Sequence, residues 1–369
     1  MGSASSEEKK EQEIIAGNMG IKDISYISSV IQVLYNLPLL KNYFLQNNYQ
    51  QSPNKPLGVL MHEILSTELS EIKFDEISKN ILSCLRQNYG LSNGNTPGDI
   101  LIQILLVLKY EDKEIKQENW EKVVMNNQQL FNNIRDEKQA LDDILEKNMA
   151  HFNTTFSGMF FGLFLAKRKF MDINSILYFY NFYCVYELNM PRIYHNLINK
   201  RKLINNRDQL PKINLIDCIK EMQETHIEIF NKQKCYIEYY MFNAPDFLIF
   251  LLKLDDPKFD NYRGNILFEE NYDFSPVIKN TQSNRFKLVS VINQKKYIVK
   301  KREKDDKGVS WFNNDNESDE DDKEYKSIFR DEKGNFCFYK KDNDIKHCQL
   351  LVEDYDYFHH ILIFKRCES

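Results

Sequence analysis

Hydrophobic spacing changes period part-way along this chain, and that change narrows the folds open to it. Up to about residue 125 the apolar side chains recur every three to four positions. Ile27, Val30, Ile31 and Leu34 form one stripe of a helix that Ser25 can cap. Pro38 begins a new short segment through Leu45. Leu57, Leu60, Met61, Ile64 and Leu65 predict a second amphipathic helix, and Ile77, Ile81, Leu82 and Leu85 a third that ends near Gly90. Thr96-Pro97-Gly98 opens a further helical run from Asp99 to about Lys109, with Asp99 placed at the positive end of the helix dipole. After about residue 150 short β-rich pieces take over: Phe160–Leu165, Ile176–Leu188, Cys235–Phe242, Phe247–Leu254, Phe286–Val299 and Phe358–Phe364. Helices first and strands later is the order of an α+β fold.

Size and composition agree with that order. A chain of 369 residues is one large domain or two intimately packed ones. Its 25 Phe and 21 Tyr supply thick aromatic packing, as in β-containing cores. A net charge of −5, spread along the chain, gives no footprint for nucleic acid. No apolar run reaches the roughly 18–20 residues that span a bilayer. The polar, acidic start carries no secretory signal, and residues 1–16 read as a disordered leader. Met1-Gly2-Ser3-Ala4-Ser5-Ser6 matches the N-myristoylation pattern, so membrane contact is expected only if Gly2 is acylated. One acyl chain binds membranes marginally. The seven cysteines, Cys84, Cys184, Cys218, Cys235, Cys337, Cys348 and Cys367, never form a C-x-x-C pair. That usage fits reduced thiols and a cytoplasmic location, with a nuclear or cytoskeleton-associated one as the alternative. The block Glu317–Glu324 is too charged to bury and reads as a solvated loop.

Five segments, in order, carry a resemblance. The first is Gly17-Asn18-Met19-Gly20-Ile21-Lys22-Asp23-Ile24-Ser25-Tyr26-Ile27-Ser28-Ser29-Val30-Ile31-Gln32. The second is the helix Thr96–Leu106, and the third Phe156-Ser157-Gly158. The fourth is Pro245-Asp246-Phe247-Leu248-Ile249-Phe250-Leu251-Leu252-Lys253-Leu254. The fifth runs from Phe286–Ile292 through Trp311-Phe312-Asn313-Asn314-Asp315 to His360-Ile361-Leu362-Ile363-Phe364-Lys365-Arg366. Together they resemble the ubiquitin-specific protease family over about residues 17–366. The resemblance implies a papain-like fold: a helical thumb over 17–125, fingers over about 150–240 and a β-rich palm over about 241–366.

The family's chemistry needs a thiolate, a histidine base, a residue to orient it and an oxyanion donor. By the resemblance, Ser25 stands at the cysteine position. The histidine position falls on Lys296, within Lys295-Lys296-Tyr297. The orienting acid matches Asp315, with Asn314 one residue away, and the oxyanion asparagine matches Gly20, which has no side-chain donor. Asp23 adds a carboxylate that repels a developing oxyanion. A Ser–Lys dyad would need Lys296 desolvated enough to lose its proton. His359 and His360 fall on the last strand and, like His62, His151, His195, His226 and His347, lack a neighbouring thiol or carboxylate pattern.

Many family members hold zinc through two C-x-x-C pairs. Gly162–Phe170 contains no cysteine and Cys235 stands alone, so neither a metal nor any other cofactor is expected. Phe160, Phe161, Phe164, Tyr178, Phe179, Tyr180, Phe182 and Tyr183 are the aromatic side chains available to hold the fingers instead. The expectation is a catalytically inactive deubiquitinase-like protein serving as a structural or adaptor subunit among protein partners. The alternatives are a module that binds ubiquitin without cutting it, and a hydrolase using Ser25.

Overall fold

A computed structural model describes residues 24–47, 49, 54–91, 96–112, 130–134, 154–171, 176–200, 212–224, 226–230, 233–259, 265–279, 284–295, 325–331, 333–339, 345–348 and 357–367. The expected α+β order is present. Among the described residues five α-helices come first: α1 (Ser25–Tyr35), α2 (Pro38–Gln46), α3 (Pro56–Ser66), α4 (Phe74–Tyr89) and α5 (Pro97–Asp112). Their ends follow local chemistry. Proline opens α2, α3 and α5, where its missing N–H is no loss. Gly90, at φ +64°, ends α4; its N–H donates to the Arg86 carbonyl and the Leu91 N–H to the Leu85 carbonyl. Thr96 caps α5 by accepting the Asp99 N–H at 3.2 Å, and its hydroxyl donates to the Asp99 carboxylate at 2.7 Å. Asp99 is therefore a helix-start residue. Ser25 does not cap α1 as its sequence position suggests: the capping position is Ile24, whose carbonyl accepts from Ile27 and Ser28, and Ser25 is the first helical residue.

Two sheets follow. A five-stranded sheet has the order β1 (Leu130–Ile134), β3 (Ile176–Tyr183), β2 (Gly162–Phe170), β7 (Gln233–Asn243), β6 (His226–Phe230). The larger sheet runs β14 (Ile345–His347), β13 (Phe336–Tyr339), β12 (Tyr325–Arg330), β11 (Arg285–Lys295), β15 (Tyr357–Arg366), β8 (Phe247–Lys253), β4 (Tyr186–Asn189). β10 (Asn271–Asp273) also pairs with β11, and β5 (Lys212–Asn214) pairs in parallel with β9 (Asn265–Leu267). Helices α6 (Thr155–Phe160), α7 (Met190–Asn199) and α8 (Leu215–Gln223) link these strands.

The unbroken apolar run of β8 reflects burial on both faces. Phe247, Ile249 and Leu251 turn to a core shared with α1 to α6, whereas Leu248, Phe250 and Leu252 turn to a second core shared with α7 and α8. β15 repeats the division, with Ile361 and Ile363 on the helical side and Leu362 and Phe364 on the other. The sheet is the middle layer of the molecule. Register shifts between Leu288 and Ser290, and between Ile292 and Asn293, mark irregular pairing of β11 with β15.

The five-stranded sheet is held by its aromatic side chains. Tyr178 and Tyr183 are buried, and the Phe164 and Tyr183 rings lie 4.4 Å apart. The Tyr183 hydroxyl donates to the Asn243 carbonyl at 3.0 Å. Gly162 lets that ring in, because a Cβ there would lie 2.5 Å from Tyr183 Cζ. Both Gly162 and Tyr183 are buried, so Gly162→Ala must displace the ring. Overpacking of this kind typically costs about 1–3 kcal/mol. A urea titration should show a lower midpoint with an unchanged slope.

Candidate functional site

The sequence-derived site centres on Ser25, and the structure shows what positions it. Helix α1 lies against β12, with Ile27, Val30, Ile31, Val33 and Leu34 buried in the helical core. Ser25 itself is partly exposed at the helix start. Its Oγ accepts a hydrogen bond from the Tyr325 backbone N–H at 3.4 Å. Tyr325 is the first residue of β12 and pairs with Gln294 of β11. One residue further, Lys295 ends β11 opposite Tyr357, the first residue of β15. The helix start and three strand ends therefore meet at one corner of the large sheet.

Of the four sequence-derived site residues, Ser25 alone is described; Gly20, Lys296 and Asp315 lie outside the described residues, as do Asp23 and Asn314. Sequence reasoning missed Tyr325. It treated His360 as an ordinary interior or surface histidine, and the structure buries it, with its ring 5.5 Å from the Tyr325 ring. No local motif flags either residue, because each reaches the corner by strand pairing across a long stretch of chain.

The start of a helix of this length favours negative charge, and would lower the pKa of a thiol placed there. A serine hydroxyl gains little from this, since its proton must still be taken by a base. Five of the thiols elsewhere are poor nucleophiles. Burial pushes Cys84 up to about 11 and Cys184 up to about 12. Burial likewise raises Cys218, Cys337 and Cys348. Each is held further towards the protonated form than a free thiol. Among the described residues no group of three or more His, Cys, Asp or Glu side chains could hold a metal ion. Likewise, no helix among them is long and apolar enough to cross a membrane.

An α-helical half packed on one face of a large sheet, with a second, five-stranded sheet, is a ubiquitin-specific-protease-like fold. The yeast SAGA DUB module superposes on this chain at a TM-score of 0.57 with 10% identity, covering 95% of this chain and 68% of that one. The Ubp8-Sgf11-Sgf73-Sus1 SAGA DUB module superposes at 0.58 with 12% identity, covering 95% and 67%. At that identity the likeness is one of fold. No family model matches the sequence, and no curated protein resembles it in sequence at a significant level.

Proposed function

We propose that this protein is a catalytically inactive deubiquitinase-like protein that serves as a structural or adaptor subunit of a larger assembly. The observation that carries the reading is the residue at the start of α1. It is a serine, and its hydroxyl meets a backbone N–H of β12. By resemblance the base and oxyanion positions are Lys296 and Gly20, and the acid position is Asp315. Loss of one member of such a unit costs about 10⁴–10⁶ in rate, and the losses do not add. With three positions changed, hydrolysis falls to the background. The solved neighbours support the assembly part of the proposal, since the one with 12% identity is a module with Sgf11, Sgf73 and Sus1. Partners here are expected to be proteins, met in the cytoplasm.

The test has two arms. A fluorogenic ubiquitin C-terminal substrate is expected to show no turnover above buffer, and Ser25→Ala to change nothing. Turnover lost in Ser25→Ala would establish the hydrolase instead. Titration with labelled ubiquitin separates the remaining readings. Saturable binding below about 1 mM would make the protein a ubiquitin-binding module, whereas no binding leaves the scaffold.

A further inference from the structure

Helix α1 carries a second feature, independent of whether the corner at Ser25 is catalytic. Ser25, Gln32 and Asn36 are seven and eleven positions apart, which at 3.6 residues per turn places them within about 40° of one another. They form a polar line about 16 Å long on the helix and its cap, apart from Ser28 and Ser29, whose hydroxyls meet Ser78 and the Tyr26 carbonyl. Each meets the β12–β13 hairpin. Ser25 Oγ accepts from the Tyr325 N–H at 3.4 Å, Gln32 Oε1 accepts from the Ser327 hydroxyl, and Asn36 Nδ2 donates to the Tyr339 hydroxyl at 2.8 Å. Asn36 Nδ2 also donates to the Gln32 carbonyl at 2.6 Å, which ties the last two rungs together.

The strand side is laid out to match. Tyr325, Ser327 and Phe329 share one face of β12, and Phe329 pairs with Cys337, which shares its face of β13 with Tyr339. At the far end the Tyr339 ring sits between Phe329, at 4.6 Å, and Phe74 of α4, at 5.1 Å. Apolar burial alone would hold α1 here, but it is non-directional and leaves the helix free to roll or slide. Hydrogen bonds have preferred angles and partners. Ser327 is buried, so its hydroxyl needs the acceptor that Gln32 provides.

We propose that Ser25, Gln32 and Asn36, with Tyr325, Ser327 and Tyr339, form a latch that fixes the helical half on the sheet half in a single register. Hydrogen exchange on the full chain tests it, comparing the natural protein with the double variant Gln32→Leu/Asn36→Leu. The amides of Tyr325–Phe329 and Phe336–Tyr339 are expected to exchange about tenfold faster in the variant. Those of β2, β3 and β7 should keep their rates. Should the double variant not fold, Ser327→Ala is read the same way. Unchanged exchange in the hairpin of a folded variant overturns the latch. A rise of equal size in the five-stranded sheet also overturns it, because the contacts would then be ordinary contributors to global stability.

Discussion

Replacing Glu111 with alanine is expected to destabilise the protein by about 3–5 kcal/mol, a large part of the 5–15 kcal/mol typical of a folded domain. The carboxylate is buried near the end of α5 and is spent on another helix. Its Oε1 accepts the Leu57 N–H at 2.9 Å and its Oε2 the Gly58 N–H at 2.7 Å. Those are the second and third residues of α3, where donors have no partner within the helix. Lys55, at the capping position of α3, makes no side-chain cap, so Glu111 takes that role from a distant helix. The Tyr89 hydroxyl also donates to Oε1. Alanine leaves two buried backbone donors without this acceptor and opens a cavity beside them. Each unsatisfied group costs about 1–3 kcal/mol.

The same residue gives a pH signature. Burial raises the Glu111 carboxyl above its ordinary 4.5, against the lowering effect of the Tyr89, Leu57 and Gly58 hydrogen bonds and of Lys55. A raised folded-state value means that the folded chain holds this proton more tightly than the unfolded chain. The resulting stabilisation is fully present below 4.5 and is lost as pH rises through the raised value. The gap in melting temperature between the natural protein and Glu111→Ala should therefore widen on acidification towards 4.5. A gap that narrows over that range would show that the carboxylate is stabilised in its charged form.

How much of this could be read from the sequence depends on how local the signal is. Helices α1, α3, α4 and α5 are legible because their apolar spacing, prolines, Thr96 and Gly90 all act within a few residues of where they stand, whereas α2 reads only as a short segment opened by Pro38. β8 is legible as an apolar run, although only the two cores show why both its faces are apolar. The stretch Ile176–Leu188 reads as one piece, and the structure divides it into β3 and β4 around Cys184 and Val185. Helices α7 and α8 went unread, yet each has a readable start. Asn189 accepts the Arg192 N–H at 3.0 Å, and Asn214 the Ile216 N–H at 2.8 Å. Both helices are short, so their periodicity spans fewer than three turns.

The site divides along the same line. Ser25 was legible through its resemblance to a motif, and the line Ser25–Gln32–Asn36 is visible as helical spacing. Their partners are not. Tyr325, Ser327 and Tyr339 lie on short strands with mixed polar and apolar faces, and they come to α1 only through pairing across the large sheet. Nothing near Ser25 in the sequence encodes that pairing.

Phe274→Ala should cost about 3–5 kcal/mol, and Phe274→Leu clearly less. Phe274 follows β10 in a turn, where sequence patterns give little reason to place a core residue. It is nonetheless fully buried. Its ring stacks on Tyr272 at 5.0 Å, meets Phe286 of β11 and Phe364 of β15 edge-on at 5.6 and 5.4 Å, and lies 5.6 Å from Phe250 of β8. Three central strands thus converge on one side chain, and its backbone is fixed in turn, since its N–H donates to the Asn284 carbonyl at 2.9 Å. Removing the ring empties the point where β8, β11 and β15 are held together from the side opposite α1 to α6, and neighbouring rings cannot all move in to fill it. Because Phe274 belongs to the core on the far face from α1, its loss should lower the denaturation midpoint and leave the Gln32–Ser327 contact in place. A hairpin exchange pattern like that of the Gln32→Leu/Asn36→Leu variant would instead mean that the two faces of the sheet are coupled, and that α1 depends on the aromatic layer behind it.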